Sequence, residues 1–320
     1  MIKTSSLGDV VHALPAISDI AHTDRWEIDW VCEDAFADIP ALHPAVGRVI
    51  PCAIRRWRRT WSTAPGRAEI AAFIRALQST RYDVVLDLQG LIKSALVVRL
   101  ARGDRHGYAW HSAREPLASL AYDYRHIVAW GQHAIFRNRQ LTSAALATSI
   151  SGPPRFGLKI ATRADIADPC VVALHATSRA DKLWPEDHWR RVLAGLSGDG
   201  VRVVLPWGNN YERARSLRLA YDIAGASVPE RMSPGALAEL FARAVAVVGV
   251  DTGLLHLATA VGTPSAAIFV STDPALTGVI GERAPAVNLG GNGSTPDVGT
   301  VLRTIAPWLT PATSGPQAGR

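Results

Sequence analysis

Cysteine is scarce in this sequence. Only three of its 320 residues are cysteine, namely Cys32, Cys52 and Cys170, and they are far apart along the chain. An odd number of widely spaced cysteines argues against a disulfide framework and against a cysteine-based zinc site. The start of the sequence lacks the basic and apolar stretches of a signal peptide, and no apolar run reaches the roughly 20 residues of a transmembrane helix. We therefore expect a protein with reduced thiols that is soluble or, at most, peripheral to a membrane.

Several motifs of nucleotide and metal chemistry are also missing. The sequence has no Gly-x-Gly-x-x-Gly and no Gly-Lys-Ser/Thr loop, which argues against a dinucleotide-dependent dehydrogenase and a P-loop NTPase. It has no His-Glu-x-x-His, no Asp-x-Asp and no Gly-x-Ser-x-Gly motif. We therefore expect metal-independent chemistry.

Acidic residues are absent from one window of the chain. Between Asp38 and Glu69 there is no acid, and six arginines lie there: Arg48, Arg55, Arg56, Arg58, Arg59 and Arg67. These six equal the whole formal net charge of +6, so the rest of the chain is neutral by count. That distribution argues against a nucleic-acid-binding face and favours one local anionic partner.

The composition, 48% hydrophobic and 19% charged, is that of a folded protein, and the length favours two domains. Short apolar runs alternate with helical patterns in both halves, which predicts parallel α/β sheets. The prolines Pro153 and Pro154 break the alternation, so we expect a first domain over residues 1–152 and a second over 153–310. The last helix could pack back on the first domain, and residues 311–320 are expected to be disordered. Carboxyl ends of two such sheets could face one ligand across a cleft.

Particular segments carry these patterns. Predicted strands are Ile28–Cys32, Tyr82–Leu88, Cys170–His175, Val201–Leu205, Val245–Val250 and Ala266–Phe269. Predicted helices are Val10–His22, Arg67–Ser79, Gln132–Thr148, Pro185–Leu196, Asn209–Tyr221, Pro234–Arg243 and Thr252–Ala260.

The first candidate site is the N-terminal stretch Lys3 to Pro15. A small-residue turn from Ser5 to Asp9 precedes a helix, and the start of a helix favours anions. Asp9 is either a first-turn acid that stabilises the helix or a general base that takes a proton from a hydroxyl group. The motif alone does not decide between the two.

The second candidate site follows the apolar strand that ends at Val250. The backbone N–H groups of Thr252, Gly253 and Leu254 can converge on a phosphate or pyrophosphate, and Asp251 can accept from a ligand hydroxyl. The alternative is a helix capped by Asp251 with His256 satisfied on its inner side.

Two further strand ends carry polar residues. Thr177, Ser178 and Lys182 follow the strand that ends at His175, and lysine suits phosphate, although a solvated surface lysine is the alternative. Glu212, after the turn at Gly208, could accept from a ribose or purine, or could complement the helix dipole. Met232 lies in the next loop region and could pad an adenine face.

In the first half, Arg55 to Trp61 combines arginines with indoles. This combination suits an anionic group at a lipid surface, or the segment is a solvated basic loop. Lys93 could reach the same ligand.

Taken together and in order, these motifs resemble the heptosyltransferases of lipopolysaccharide inner-core synthesis, glycosyltransferase family 9. The motifs that carry the resemblance are Lys3-Thr4-Ser5-Ser6-Leu7-Gly8-Asp9, Arg55-Arg56-Trp57-Arg58, Asp87 to Ser94, Ala113 to Ser119, His175 to Trp189, Leu205-Pro206-Trp207-Gly208 and Asp251 to His256. Members carry several more apolar residues before the Lys-Thr-Ser-Ser motif, so we expect a short first strand here.

The resemblance implies an α/β GT-B fold of two Rossmann-like domains and an inverting, metal-independent transfer of L-glycero-D-manno-heptose from ADP-heptose to the Kdo of Kdo2-lipid A. Asp9 matches the family's general base. The implied donor-binding residues are Thr177, Ser178, Lys182, Gly208, Glu212, Met232, Asp251, Thr252, Gly253, Leu254 and His256. The implied acceptor-binding residues are Ser6, Gly8, Arg55, Arg56, Arg58, Arg59, Gln89 and Lys93.

We also expect a monomer without further cofactors that works in the cytoplasm, peripheral to the inner membrane, and that binds no nucleic acid. The alternatives are heptosyltransferase II, for which we expect a different N-terminal motif, another GT-B nucleotide-sugar transferase, and a non-catalytic nucleotide-sugar-binding module. A non-catalytic module would keep the Asp251 turn but would not need Asp9.

Overall fold

The computed structural model describes residues 1–21, 25–160 and 170–309. The chain forms two compact units, Met1–Lys159 and Ile160–Arg320. The division therefore lies a few residues after the predicted boundary at Gly152, because the segment that follows the prolines packs on the first unit. Phe156 and Leu158 are buried, and Lys159 N donates to Leu42 O. The predicted disordered tail, residues 311–320, lies outside the described residues.

The first unit alternates strands and helices. Its strands are β1 Ile28–Glu33, β2 Val46–Cys52, β3 Val84–Leu86, β4 Asp104–Tyr108 and β5 Tyr124–His126. Its helices are α1 Leu7–Val11, α2 Leu14–Ala21, α3 Asp38–Ala41, α4 Ile54–Thr60, α5 Ala64–Gln78, α6 Ile92–Leu100 and α7 Ala134–Leu146. Two 3-10 segments complete it, Asp34–Phe36 and Pro116–Ala121.

All strand pairs of the first unit are parallel, β1 with β2 and β3 with β4 and β5. Ile2 joins the two groups, because it forms parallel bridges to Val31 in β1 and to Asp87 after β3. The N-terminal residues thus occupy the centre of the layer, and the order is β2, β1, the Ile2 stretch, β3, β4, β5. This is the strand order of a Rossmann-like sheet, and the first strand is as short as predicted.

The second unit repeats the plan. Its strands are β6 Cys170–Leu174, β7 Arg202–Val204, β8 Ala226–Ser227, β9 Ala246–Val250, β10 Ser265–Phe269 and β11 Ala286–Gly290. Its helices are α8 Glu186–Gly198, α9 Asn210–Ala220, α10 Pro234–Arg243, α11 Gly253–Val261, α12 Pro274–Thr277 and α13 Val298–Leu309, with a 3-10 segment at Ala180–Lys182.

The six strands of the second unit form one parallel sheet in the order β11-β10-β9-β6-β7-β8. The central strands β6, β9 and β10 are buried along their whole length, as their continuous apolar runs predicted. The strand order reverses between β6 and β9, and ligands of open α/β sheets bind outside the carboxyl ends of the strands at such a point. The two strongest predicted donor motifs follow these two strands.

Helices α8 and α13 cover one face of this sheet. Trp189 and Val192 of α8 pack in the same core as Val301 and Ile305 of α13. The last helix is therefore part of the second unit's core. Among the described residues, no helix is both long and apolar enough to cross a membrane.

Two predicted helical segments differ from the structure. The helix predicted over Val10–His22 is two helices, α1 and α2, and His22 lies outside the described residues. The arginine segment that could have been a solvated loop is helical as α4, and it packs on α5 through Trp57 and Phe73, whose ring centroids are 5.2 Å apart.

Candidate functional site

The N-terminal loop of the first unit is fixed by a buried lysine. The Lys3 side chain is 7% exposed, and its Nζ donates to Leu88 O at 2.7 Å and to Asn138 Oδ1 at 3.3 Å. Burial lowers the pKa of Lys3, while the Asp9 and Asp87 carboxylates act in the opposite direction. Lys3 therefore ties the N-terminal loop to the residue Leu88 after β3 and to Asn138 of α7.

Asp9 lies in the first turn of α1 and is half-buried. Its Oδ2 accepts from Ser6 N at 2.8 Å and from Ser6 Oγ at 2.9 Å, which forms a capping box at the helix start. Its Oδ1 makes no hydrogen bond, and the carboxylate makes no ion pair, with any residue that the structure describes. The two interpretations of Asp9 are thus compatible, because one oxygen caps the helix and the other is available to a hydroxyl group.

The loop next to Asp9 is held by residues that follow β3. Gln89 Oε1 accepts from Thr4 N at 2.7 Å and from Ser5 N at 3.2 Å, and its amide nitrogen donates to Ser5 O. Lys93 Nζ donates to Ser5 Oγ at 2.6 Å. Gln89 is buried with its carboxamide engaged, so the contacts that it makes in the structure position the loop.

Lys93 is half-buried and lies in a mixed field of charges. Burial lowers the pKa of Lys93, and Arg55 lowers it further, while Glu33 and Asp9 raise it. Arg55 and Asp9 are therefore both near enough to influence the Lys93 ammonium group. These charges couple a predicted acceptor cluster to the predicted base.

Asp87 supports this arrangement from within the unit, and sequence analysis did not single it out. Its side chain is fully buried; Oδ2 accepts from Tyr122 OH at 2.7 Å and Ser94 Oγ at 2.8 Å, and Oδ1 accepts from Gln89 N at 2.8 Å. Burial raises the pKa of Asp87, against the effect of these hydrogen bonds. Its signals were its position near the carboxyl end of a predicted strand and its place in the Asp87 to Ser94 motif of the family.

The arginines of α4 are exposed, but they are not equivalent. Arg56 donates to Asp34 Oδ2 at 2.7 Å and to Glu69 Oε1 at 2.7 Å, so its guanidinium group is neutralised by acids just outside the acid-free window. The other three, Arg55, Arg58 and Arg59, form no ion pair with a described residue. The cationic character of the helix surface thus rests on these three.

In the second unit, Asp251 is the centre of a polar cluster. Its Oδ2 accepts from Lys182 Nζ at 2.6 Å and from Thr272 Oγ1 at 2.7 Å, and its main-chain oxygen accepts from Thr177 Oγ1 at 2.9 Å. His256 Nε2 lies 3.9 Å from Asp251 Oδ1. The pKa of Asp251 is lowered: burial favours the neutral acid, but the polar groups of His256, Lys182 and Thr272 outweigh it.

The start of α11 lies beside this cluster. Thr252 is its N-cap, but the Thr252 side chain makes no capping hydrogen bond. The N–H groups of Thr252, Gly253 and Leu254 make no hydrogen bond to a described residue, as expected of a first turn. A nine-residue helix thus presents three free donors next to the Lys182 ammonium group. Diphosphate oxygens fit these N–H donors, while the charge of Lys182 is balanced in this structure by the Asp251 carboxylate.

The remaining donor-side residues lie on neighbouring loops. Ser178 is exposed, and Met232 is half-buried in the stretch before α10. Glu212 Oε2 accepts from Gly208 N at 2.7 Å, and Glu212 N donates to the N-cap oxygen of Asn209 at 3.0 Å. Glu212 is therefore a first-turn acid of α9, and a contact with a nucleoside stays a prediction.

Thr272 was missed by sequence analysis. It follows β10, the strand next to β9, and so it reaches the same edge of the sheet as Asp251. The signal was present, because the predicted strand Ala266–Phe269 is followed by the hydroxyl residues Ser271 and Thr272. Among the described residues, no three histidine, cysteine or acidic side chains are grouped so that they could hold a metal ion.

Comparison with known proteins identifies the family. Residues 70–304 match the family model of glycosyltransferase family 9 (heptosyltransferase). The chain belongs to glycosyltransferase family 9. The resemblance found in the motifs is thereby confirmed, and the chain is a glycosyltransferase with a GT-B fold.

Curated relatives and solved structures agree with this assignment. Lipopolysaccharide heptosyltransferase 1 of Escherichia coli K12 is 46% identical over 300 residues, which cover 90% of this chain and 94% of the relative. The Pseudomonas aeruginosa protein of that name is 45% identical, over 88% of this chain and 81% of its own length. The structure of E. coli heptosyltransferase WaaC with ADP is 43% identical, has a TM-score of 0.88 and covers 96% of this chain and 98% of the other.

E. coli heptosyltransferase II is more distant. Its structure has a TM-score of 0.76 at 18% identity, over 96% of this chain and 97% of the other, which shows a common fold. The much higher identity to proteins named heptosyltransferase 1 favours that activity over the heptosyltransferase II alternative.

Proposed function

We propose that the chain transfers L-glycero-D-manno-heptose from ADP-heptose to the Kdo of Kdo2-lipid A during lipopolysaccharide core synthesis. The observation that carries this proposal is the polar cluster of the second unit, in which Lys182 pairs with Asp251 directly before the uncapped start of α11. The relative with a TM-score of 0.88 was solved with ADP, and a second structure of it, with a TM-score of 0.85, with ADP-2-deoxy-2-fluoro heptose.

The donor diphosphate would lie at the start of α11. Its oxygens would accept from the N–H groups of Thr252, Gly253 and Leu254, and Lys182 would neutralise charge that develops as ADP leaves. The Thr177 and Ser178 hydroxyls border the same strand end. Donor stabilisation by fixed N–H groups and an ammonium ion supports a metal-independent reaction. His256 stays behind Asp251 and acts through it.

The adenosine part would extend toward the loop after β7. We assign Gly208, Glu212 and Met232 to this part, because Gly208 and Glu212 form one turn at the carboxyl end of a strand in the same sheet. Met232 would pack on the base.

Asp9 would be the general base. Its free Oδ1 can take the proton of an acceptor hydroxyl as that oxygen attacks the anomeric carbon from the side opposite the diphosphate. The carbon–oxygen bond to ADP breaks as the new bond forms, so the product has the inverted configuration. Ser6 and Gly8 hold α1, on which Asp9 lies.

The acceptor is an anionic glycolipid, and Arg55, Arg58 and Arg59, which have no ion-pair partner among the described residues, supply positive charge on the unit that carries Asp9. Lys93 adds a cation that lies near the carboxylates of Glu33 and Asp9. Arg56 contributes less net charge because of its two acidic partners. Gln89 acts by positioning the loop. We further propose that the enzyme is a monomer that works at the cytoplasmic face of the inner membrane and binds no nucleic acid.

The test replaces Asp9 with asparagine. In Asp9→Asn the amide oxygen can still accept from Ser6, so the helix cap is kept while the base is lost. We expect turnover of ADP-heptose and Kdo2-lipid A to fall by at least about 100-fold, as for loss of a general base, with ADP affinity unchanged.

The matched control is Asp297→Asn, because Asp297 also caps a helix start, through Thr300 N at 2.7 Å, and lies outside the site. It should keep normal turnover. Near-normal turnover in Asp9→Asn would contradict the assignment of the base, and absence of transfer by the wild-type enzyme would contradict the proposed substrates.

A further inference from the structure

The first unit exposes a set of large apolar side chains that no described residue covers. They lie on α6 and on the 3-10 segment Pro116–Ala121, and their exposed fractions are 37–63%. The set consists of Ile92, Leu96, Leu100, Leu117 and Leu120. A contiguous exposed apolar patch on a folded protein marks an interaction surface.

The α6 members form one stripe. Ile92, Leu96 and Leu100 are spaced four residues apart, so they lie one above the other along the helix. The opposite side of α6 is already apolar and packed, since Val97 and Val98 are buried in the core of the unit. The helix therefore carries a second apolar side that folding of the unit does not need.

The 3-10 segment extends the same surface. Leu117 and Leu120 are three residues apart, and such residues eclipse each other in a 3-10 helix. Ala118 and Ser119 between them are buried. The segment packs directly against α6. We name the five exposed side chains, Ile92, Leu96, Leu100, Leu117 and Leu120, the apolar face.

Positive charge surrounds the apolar face. Four exposed arginines form no ion pair with a described residue. Arg99 lies on α6 and Arg102 just after it, while Arg114 and Arg125 lie near the 3-10 segment. Arg125 Nε donates to Ser119 O at 3.0 Å, which holds that arginine alongside the segment.

The acids of this region are already engaged or outnumbered. Glu115 accepts from the main-chain N–H of Ile92 at 2.6 Å, and Asp123 accepts from Arg105 at 2.6 Å. Asp104 is the one remaining acid between Ile92 and Trp130. The surroundings of the apolar face are therefore cationic.

The apolar face is also connected to the catalytic loop. Lys93, next to Ile92 on α6, donates to Ser5 Oγ at 2.6 Å, in the loop that leads to Asp9. A partner that binds α6 would therefore also lie near the loop that leads to Asp9.

We propose that the apolar face inserts into the headgroup region of an anionic lipid bilayer. Aliphatic side chains within a rim of arginines match such a surface, because apolar burial and attraction to anionic headgroups add up. The membrane contact rests on the proposed function in one respect, namely that the acceptor is a lipid held in a membrane. The new element is the part of the molecule that makes the contact.

The first experiment measures binding of the full chain to vesicles. We compare vesicles of phosphatidylcholine alone with vesicles that contain about 30% phosphatidylglycerol. We expect wild-type protein to partition about 10-fold better onto the anionic vesicles, and the triple variant Leu96→Ser/Leu117→Ser/Leu120→Ser to lose at least about 10-fold of this binding. Arg99→Gln/Arg102→Gln should weaken binding and reduce its salt dependence.

A matched control uses exposed apolar residues of the second unit. The variant Leu217→Ser/Tyr221→Ser/Leu276→Ser removes side chains that are 42–68% exposed, and it should bind vesicles like the wild type. Equal binding by the wild type and the Leu96 triple variant would overturn the proposal. So would loss of self-association, rather than of vesicle binding, in that variant, since this would make a second copy the occupant.

A second readout locates the contact. The native cysteines, Cys32, Cys52 and Cys170, are buried, so a thiol dye will label a new surface cysteine. A polarity-sensitive dye on Leu117→Cys should shift to the blue with anionic vesicles, and the same dye on Leu217→Cys should not. No shift at residue 117 would contradict insertion.

Activity separates this proposal from the proposed function. The Leu96 triple variant should transfer heptose to a deacylated, water-soluble acceptor at the wild-type rate, but at least about 10-fold more slowly to acceptor embedded in vesicles. Equal rates on both would sink the membrane contact alone. Transfer to neither acceptor by the wild type would sink the proposed function, whatever the vesicle binding.

Discussion

At the residue scale, the Lys182–Asp251 ion pair is the central contact of the proposed donor site. A carboxylate that is 7% exposed must have partners to remain charged, and Asp251 has both an ammonium and a hydroxyl group on the same oxygen. Both its partners come from other strand ends of the sheet. The Asp251 carboxylate therefore stays charged because folding brings Lys182 and Thr272 to it. The local sequence Asp-Thr-Gly does not reveal these partners.

Replacement of Lys182 tests the pair. In Lys182→Ala the diphosphate loses a charged partner, and Asp251 keeps only Thr272 on that oxygen. A charged hydrogen bond contributes about 1.5–3 kcal/mol, so we expect ADP binding to weaken roughly 10- to 100-fold, as measured by calorimetry.

The control for this change is Arg218→Ala. Arg218 pairs with Glu186 in the same unit, but both side chains are exposed, at 53% and 40%. Its removal should leave ADP affinity unchanged. If Lys182→Ala bound ADP as well as Arg218→Ala does, Lys182 would not belong to the donor site.

At the element scale, helices are tied together by contacts that their own sequences do not reveal. Arg139 of α7 is 1% exposed, and it grips Asp19 of α2 with two hydrogen bonds of 2.6 and 2.8 Å. It also donates to Ser151 O and Gly152 O, at the end of the turn before the prolines. One guanidinium group thus fixes two helices and the chain that leaves the unit.

Loss of the Arg139 guanidinium group should destabilise the first unit. Arg139→Leu leaves the Asp19 carboxylate, which is 12% exposed, without its partner. Breaking a fully buried pair costs about 3–5 kcal/mol, and we expect a loss of about 3 kcal/mol for this partly buried one. Urea denaturation should show this loss in the transition of the first unit.

The comparison is Arg105→Ala, which removes an Arg–Asp pair of similar geometry near the surface of the same unit, with Asp123 41% exposed. We expect that change to cost less than about 1 kcal/mol. A similar cost for both changes would mean that burial does not set the strength of the α2–α7 connection.

Elements with strong local signals were predictable from the sequence. The bounds of α10 equal the predicted ones, because Ser233 caps the helix, Pro234 begins it and its apolar spacing is regular. The buried strands β6, β9 and β10 were found from their continuous apolar runs. In contrast, β4 and β5 have the sequences Asp-Arg-His-Gly-Tyr and Tyr-Arg-His, which show no alternation of apolar and polar residues. They are strands because they pair with neighbouring strands of the sheet, and the local sequence does not reveal that pairing.

The arginine window shows the same limit for the site. The sequence has no acid between Asp38 and Glu69, yet in the folded chain Asp34 and Glu69 both form ion pairs with Arg56. The positive charge of one predicted acceptor-binding arginine is therefore balanced. The free Oδ1 of Asp9 and the hydrogen bond from Thr272 to Asp251 were equally invisible, because both depend on distances that only folding sets.

At the scale of the whole molecule, each unit contains a buried histidine that remains neutral. In the first unit, Ala45 N donates to His43 Nδ1 at 3.2 Å, and His43 Nε2 lies 2.9 Å from Ser18 Oγ. In the second, His175 Nε2 lies 2.7 Å from Ser216 Oγ. Burial lowers the pKa of both histidines to about 4, and Arg215 adds to the effect on His175.

These histidines predict a loss of stability in mild acid. As pH falls below about 6.5, the unfolded chain takes up protons that the folded units do not, so stability declines until the folded pKa near 4 is reached. Between pH 7 and pH 5 each histidine should cost its unit about 2 kcal/mol, from 1.36 kcal/mol per pKa unit.

Urea denaturation at both pH values measures the effect. His43→Gln and His175→Gln should each reduce the pH dependence of one unit, whatever their effect at pH 7. His111→Gln, at an exposed position, should leave it unchanged. An unaltered pH dependence in both buried variants would assign the acid sensitivity to other groups.

The Lys182–Asp251 pair also bears on how the enzyme completes a cycle. If the donor diphosphate binds Lys182 as proposed, it meets an ammonium group whose charge Asp251 already balances, because the carboxylate is held beside it at high effective concentration. The Asp251 carboxylate would then compete with the diphosphate for Lys182 and would pair with the ammonium group again when ADP leaves. Such competition predicts easier release of ADP and a weaker hold on the donor than an unpaired lysine would give.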